Sequence, residues 1–118
     1  MTLLQTTSKW ARGVVEVASE KQASDIHLLD MTAVCSFTDF FVIMSANSRR
    51  HIETVAVEVE KALSQSGVGL HHMEGDAASG WVLMDFGDML VHIFGPDERA
   101  YYQLDQVWST AVSVVRIQ

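Results

Sequence analysis

The segment Gly80–Pro96, GWVLMDFGDMLVHIFGP, predicts two short β-strands joined by a tight turn at Gly87-Asp88. Glycine at the first central position of a two-residue loop favours a type II′ hairpin turn, because glycine adopts the required positive φ at little cost. Side chains alternate along paired strands, so one face of this hairpin is entirely apolar and must face a core. That face consists of the cross-strand pairs Phe86 and Met89, Met84 and Val91, and Val82 and Ile93.

The other face of the hairpin mixes large apolar side chains with one acid and one imidazole. Its members are Trp81, Leu83, Asp85, Leu90, His92 and Phe94. A solvent-exposed face does not require tryptophan, leucine and phenylalanine, whereas a fully buried face would need partners for the acid and the imidazole. The composition therefore indicates either partial cover by the rest of the chain or a docking surface.

Length and composition predict a single globular domain over residues 1–118. A chain of 118 residues can close one core without disulfides or metal, and contents of 48% hydrophobic and 19% charged residues are typical of globular proteins. The single cysteine, Cys35, has no internal disulfide partner, as in cytoplasmic proteins. No apolar run approaches the ~20 residues of a membrane span, and Met1–Lys9 lacks the features of a signal peptide. We expect a soluble cytoplasmic protein without a membrane partner.

The charge balance bears on the kind of partner. The chain has 8 basic and 15 acidic residues, a net charge of −7, and no basic cluster beyond Arg49-Arg50. Nucleic-acid binding relies on Lys and Arg placed against phosphates, so direct binding to RNA or DNA is disfavoured. An acidic surface instead suits a basic partner protein.

Hydrophobic periodicity predicts an α/β domain, with a mixed sheet of about five strands and helices packed on it. The run from Phe40 to Met44 predicts a strand buried on both faces at the middle of the sheet. We assign no element to Ala111–Gln118. The predicted elements are a helix capped by Thr7 or Ser8 and ending near Gln22, strands at Asp25–Asp30 and Asp39–Ser45, a helix capped by Asn47 or Ser48 and ending at Gly67, a strand at Val68–Gly75, the hairpin, and a third helix after Pro96.

No cluster of residues predicts a metal site or a catalytic nucleophile. His71-His72, with Glu74 and Asp76 nearby, lacks the spacing of a closed ligand set, and neighbouring strand residues point to opposite faces. Cys35 has no convincing partner base, and a small loop or core residue is the better interpretation. The sequence therefore predicts neither a metal nor another cofactor.

Asp85 and Asp88 leave a second hypothesis open, that of a metal-dependent nucleotidyltransferase-like enzyme. Such enzymes hold two magnesium ions with acids on one face of a strand and a third acid nearby, after a Gly-Ser turn that grips phosphate. Here the two acids flank a turn, the helix follows Ala46-Asn47-Ser48, and no glycine-rich phosphate loop occurs. We favour the interpretation that both acids stabilise the hairpin turn.

Several motifs follow one another between Ser8 and Ser109. They are Asp25-Ile26 with Leu29-Asp30, Thr38-Asp39-Phe40-Phe41-Val42-Ile43 with Ser45, Glu74-Gly75, Trp81-Val82-Leu83 with Asp85 and Gly87-Asp88, Val91-His92-Ile93-Phe94, and Tyr102, Leu104 and Trp108. In this order they resemble the ribosomal silencing factor family, also called the Iojap family, for which the block W-V-L-x-D-x-G-D-x-x-V-H-I-F is specific. Phe40 and Phe86 stand where tyrosine is common in that family, and His27 stands where an aliphatic residue is usual.

The resemblance implies a function without catalysis. Members of the family bind ribosomal protein fourteen of the large, 50S-type ribosomal subunit. The bound factor obstructs the face where the small subunit would join, which represses translation when nutrients are short, and organellar members also act in large-subunit assembly. The resemblance further implies a fold similar to the nucleotidyltransferase fold without its catalytic acids.

By position, the resemblance assigns the partner-binding surface to the hairpin block. Tryptophan buries a large area at small entropic cost, and the acid could pair with a basic side chain at the rim. Phe86 is the exception, because the hairpin register points it inward. Tyr102 and Trp108 either extend the surface or pin the third helix to the sheet, and a homodimer could form through the same patch. The expected partner-binding residues are Trp81, Leu83, Asp85, Phe86, His92 and Tyr102.

Overall fold

The structure is a computed structural model that describes residues 2–118. Its elements are α1 (Leu3–Glu20), β1 (Ser24–Asp30), β2 (Phe40–Ser45), α2 (Arg49–Gln65), β3 (His72–Asp76), a 3-10 helix (Ala77–Ser79), β4 (Trp81–Asp85), β5 (Met89–Phe94), α3 (Pro96–Tyr102), α4 (Leu104–Val107) and β6 (Val112–Ile117). The strands form a 6-stranded sheet in the order β3-β4-β5-β2-β1-β6. β2 and β5 run parallel, and the other neighbouring pairs are antiparallel.

The predicted hairpin is confirmed with its register. Val82 lies opposite Ile93 and Met84 lies opposite Val91. At the turn, the Phe86 N–H donates to the Met89 carbonyl over 2.9 Å, and Gly87 adopts a φ of 91°. The positive φ explains the glycine, because a side chain would be strained in that conformation.

The main core lies between one face of the sheet and helices α1 and α2. Strand β2 is buried along its whole length between β5 and β1, as the sequence predicted. The helices contribute apolar side chains at helical spacing, and the apolar hairpin face packs beneath them. The buried helix residues are Ala11, Val14, Val15 and Ala18 of α1, and Ile52, Val55, Ala56, Val59 and Leu63 of α2.

The first helix begins earlier than predicted. Its cap is Thr2 rather than Thr7 or Ser8, because the Thr2 side chain accepts the Gln5 N–H while the Gln5 side chain accepts the Thr2 N–H. Thr7 lies inside the helix, buried, and donates its hydroxyl to the Leu3 carbonyl. The second helix is capped by Ser48, one of the two predicted caps, whose hydroxyl accepts the His51 N–H.

The sheet has one strand more than predicted, because Ala111–Gln118 contains β6. This strand pairs with β1 at the edge of the sheet, opposite Ile26–Asp30. The register shifts between Leu28 and Leu29, where Val114 is the extra residue. The shift breaks the alternation of apolar and polar side chains along β6, so the period-2 signal of a strand is absent there.

Two other boundaries differ from the prediction. The third strand begins at His72 instead of Val68, since the chain first leaves α2 through Gly67, whose φ of 82° is a left-handed conformation typical of a helix end. The predicted third helix is two short helices, α3 and α4. Gln103 separates them with a φ of 50°, a left-handed conformation that interrupts the helix. Among residues 2–118, none of the helices combines the length and the apolarity needed to cross a bilayer.

Candidate partner-binding site

The second face of the sheet is divided into a covered part and an open part. Helix α4 places Leu104 over the sheet, Trp108 follows it, and both pack on a second apolar cluster. The rest of the chain therefore covers this face only in part, and leaves an open part at β3 and β4. The residues buried in the second cluster are Leu29, Met31, Phe41, Ile43, Leu90 and Phe94.

The open part centres on a set of side chains that we call the β4 patch, made of Trp81, Leu83, Asp85 and Tyr102. The first three alternate along one face of β4 and are half-buried, and the Tyr102 residue of α3 is 42% exposed. Trp81, Leu83 and Tyr102 line a depression of about 210 Å³ together with residues of the β3 edge. The hairpin alternation and the start of α3 at Pro96 bring these residues together.

Trp81 is held by aromatic neighbours. Its ring stacks on Phe94, the residue opposite it in β5, with ring centroids 5.3 Å apart. Tyr102 approaches from α3 with a centroid distance of 4.6 Å. Such contacts stabilise ring pairs beyond the area they bury. The tryptophan therefore presents an ordered, half-buried edge and not a freely rotating side chain.

His92 lies beneath Trp81 and is 4% exposed. The indole Nε1–H of Trp81 donates to His92 Nδ1 over 3.3 Å. Because an indole nitrogen can only donate, Nδ1 carries no proton, and the neutral imidazole bears its proton on Nε2. Burial lowers the pKa of His92 to about 4, against an opposing effect of the Asp105 carboxylate. Nε2 is buried and has no hydrogen-bond partner among residues 2–118, which costs about 1–3 kcal/mol.

Two of the six predicted contact residues are buried. Phe86 is 6% exposed and packs in the main core, where its register directs it, and His92 is stacked against the Trp81 ring with centroids 6.0 Å apart. Their burial leaves Trp81, Leu83, Asp85 and Tyr102 as the expected contact residues that are open to solvent. Trp108 contacts the Phe41 ring edge-on with centroids 5.7 Å apart, so it pins the segment after α4 to the sheet.

Acidic side chains border the β4 patch on the β3 edge. Glu74 lies opposite Leu83, and Asp76 lies opposite Trp81. Residues paired directly across antiparallel strands point to the same face, so these carboxylates stand beside the aromatic side chains. Both are exposed. The patch therefore combines an apolar centre with a negative rim.

Asp85 and Asp88 both take part in the hairpin turn. The Asp85 carboxylate accepts the Gly87 N–H over 2.7 Å, which stabilises the turn as predicted. The Asp88 carbonyl accepts the Asp39 N–H over 2.9 Å and links the turn to the start of β2. Within residues 2–118, no group of three or more His, Cys, Asp or Glu side chains is placed to hold a metal ion.

A group of charged residues that the sequence did not reveal fastens α3 and α4 to the sheet. Arg99, which is 9% exposed, forms two hydrogen bonds with the Asp105 carboxylate, of 3.0 and 3.1 Å. Asp105 also contacts His27 Nδ1 over 2.7 Å. We call Arg99, Asp105 and His27 the charged clamp. Burial opposes ionisation of Asp105, but the hydrogen bonds and charges of Arg99 and His27 prevail, so the pKa of Asp105 is lowered.

The clamp reaches three strands. Arg99 also donates to the Asp25 carbonyl over 2.8 Å and to the Ser45 hydroxyl over 3.1 Å, and His27 Nε2 contacts the Ser113 hydroxyl over 2.8 Å. The guanidinium of Arg99 thus donates hydrogen bonds to partners on β1, β2 and α4. A histidine at position 27 of a buried strand was the signal that could have indicated a polar contact there. Its partner Asp105 lies 78 residues away in the chain, so the sequence did not identify it.

Comparison with known proteins gives consistent matches. A family model described as "Ribosomal silencing factor during starvation" matches residues 4–118. The chain is 36% identical over 100 residues to the ribosomal silencing factor RsfS of Halalkalibacterium halodurans, covering 85% of this chain and 86% of that protein. It is 38% identical over 92 residues to the RsfS of Bacillus subtilis, covering 78% of each chain.

Two crystal structures match the chain over most of its length. A crystal structure of a Chromobacterium violaceum protein superposes with a TM-score of 0.81 at 30% identity, covering 92% of this chain and 88% of that one. A Bacillus halodurans crystal structure gives a TM-score of 0.77 at 33% identity, covering 94% and 98%. The fold and the matches define a class of small α/β proteins, the ribosomal silencing factors, whose name denotes a regulatory role. The chain belongs to the ribosomal silencing factor family, which confirms the resemblance.

Proposed function

We propose that this protein binds ribosomal protein fourteen of the large ribosomal subunit through the β4 patch, and that the bound protein represses translation by blocking the joining of the small subunit. The observation that carries the proposal is the partly exposed Trp81, set in an apolar centre with an acidic rim on a sheet face that is otherwise covered. Family membership directs the choice of partner.

The patch has the chemistry of a protein-binding hot spot. Tryptophan and tyrosine dominate such sites, because they bury a large area while few rotatable bonds are fixed. Trp81 and Tyr102 contact each other and remain partly exposed. The neighbouring carboxylates of Glu74 and Asp76 suit a basic partner, and ribosomal proteins that contact RNA phosphates carry Lys and Arg.

The proposed mechanism is steric. The domain measures 38 × 32 × 24 Å. A body of this size, bound where the two subunits meet, would clash with an incoming small subunit. No bond is made or broken, and repression depends only on the fraction of large subunits occupied. An excess of small subunits should therefore compete with the bound factor, as mass action requires.

Co-sedimentation with purified large subunits tests the proposal. We expect the wild-type protein to sediment with large subunits, and to lower the formation of joined ribosomes when small subunits are added. Val57→Ala is the matched control, since Val57 is an exposed apolar residue of α2, away from the patch, and its loss should change neither result. A wild-type protein that stays in the supernatant would refute the proposed function.

A further inference from the structure

We infer that His92 is a positioning residue of the β4 patch, whose Nδ1 holds the indole ring of Trp81 in the orientation that the partner binds. This inference rests on the proposed function, because it assigns a role to a buried residue behind the same surface. His92 itself does not touch the partner, since its side chain is covered.

The hydrogen bond between the two rings has a defined direction. Trp81 donates and His92 accepts, and within residues 2–118 this is the one hydrogen bond of the His92 side chain. The acceptor is available only in the neutral tautomer with its proton on Nε2. The geometry thus supplies one acceptor, and that acceptor faces Trp81.

A histidine is a poor choice for packing at this position. Its neighbours are aromatic rings, with centroids of Phe41 at 4.8 Å and of Phe94 at 6.1 Å. The buried Nε2–H has no acceptor among residues 2–118, so a phenylalanine would fill the site without an unsatisfied donor. The feature that a phenylalanine could not provide is the hydrogen bond to Trp81.

The aromatic contacts hold the plane of the Trp81 ring, but they do not decide which edge of the indole faces the sheet. Phe94 and Tyr102 lie beside the ring, but such ring contacts are compatible with both χ2 orientations of the indole, which exchange the edge that faces the sheet and the edge that faces outward. The hydrogen bond from Nε1 fixes which edge of the indole turns toward the sheet and which edge turns outward. A surface that is ordered before binding loses less conformational freedom on association.

Two substitutions separate positioning from packing. His92→Phe keeps the ring and removes both nitrogens, whereas His92→Asn keeps an acceptor near the position of Nδ1. We expect His92→Phe to have an equal or higher melting temperature and to bind ribosomal protein fourteen about three- to tenfold more weakly, the range that one hydrogen bond provides. We expect His92→Asn to recover part of that affinity.

A measurement on the free protein reports the hydrogen bond directly. The indole N–H resonance of Trp81, assigned with Trp81→Phe, should shift in His92→Phe and lie nearer its wild-type position in His92→Asn. Wild-type affinity in His92→Phe, an unshifted indole resonance, or parallel losses of stability and affinity would each overturn the inference. Failure of the wild-type protein to bind would overturn the proposed function instead, and the indole resonance, which needs no partner, would still decide whether His92 fixes Trp81.

Discussion

Trp81 is the residue on which the proposed partner contact depends most. Its side chain packs on Phe94 and Tyr102 at the surface and not in the main core, so Trp81→Ala should leave the fold intact. We expect the substitution to weaken binding to ribosomal protein fourteen by about 30-fold or more, the effect of losing at least ~2 kcal/mol at a hot spot. Titration calorimetry measures the change, with circular dichroism to verify the fold. Unchanged affinity would exclude Trp81 from the interface.

His92 should also make stability depend on pH. Its pKa is about 4 in the folded protein against an ordinary value of 6.5, so the unfolded chain binds the extra proton between these values. Stability should therefore fall as pH decreases from 6.5 toward 4, by about 3 kcal/mol if the shift is fully expressed. Asp105 adds a further loss at lower pH, since its lowered pKa stabilises the fold only while it is ionised.

Urea unfolding at a series of pH values checks this dependence. The His92→Phe protein is the control, because it lacks the buried imidazole and should show a flatter stability curve between pH 4 and 6.5. Parallel curves for the two proteins would show that His92 is not the group that titrates.

At the scale of elements, the parts that the sequence predicted are those with local signals. The hairpin follows from Gly87 and the alternation around it, and β2 follows from its unbroken apolar run. β6 was missed because a register shift removes its alternation, and the break between α3 and α4 depends on one left-handed residue, Gln103. For the candidate site, the shared and partly open face of Trp81 and Leu83 could be predicted from the alternation, whereas the burial of His92 depends on contacts between distant segments.

Among the contacts between elements, the charged clamp is the one whose loss should lower the free energy of unfolding most. Asp105→Asn removes one of the two carboxylates beside buried Arg99, and an amide cannot accept both of its hydrogen bonds. The other carboxylate, that of Asp25, lies 3.4 Å away on a side chain that is 34% exposed. We expect a loss of about 3 kcal/mol, because breaking a buried, hydrogen-bonded pair costs far more than breaking an exposed pair. Denaturant unfolding measures the loss, and hydrogen exchange should increase first in α3 and α4.

Arg116→Gln provides the matched control for that prediction. Arg116 pairs with Asp25 at 3.0 Å, but its side chain is 42% exposed, so water screens the interaction. We expect a change below about 1 kcal/mol. Equal effects of Asp105→Asn and Arg116→Gln would contradict the view that the clamp is energetically distinct from the surface ion pairs.

At the scale of the whole molecule, the covered surfaces determine where a partner can approach the sheet. Helices α1 and α2 cover one face, and α3, α4 and the loop after β1 cover the β1, β2 and β5 side of the other face. The corner formed by β3 and β4 remains open, and all five residues of β3 are exposed. A partner that docks on this open corner therefore meets Trp81 and the acidic edge together.

The net charge of −7 leads to a prediction about ionic strength. Binding to a basic ribosomal protein should weaken as salt rises from about 0.05 to 0.5 M, because screening shortens the range of the attraction between exposed charges. Glu74 and Asp76 border the β4 patch, so a Glu74→Gln, Asp76→Asn double variant should bind more slowly and with a smaller salt dependence. Association rates measured by stopped-flow fluorescence of Trp81 test both statements, with Trp10 and Trp108 replaced by phenylalanine. Affinity that is independent of salt would mean that the apolar centre alone drives binding and that the acidic rim has no part in recognition.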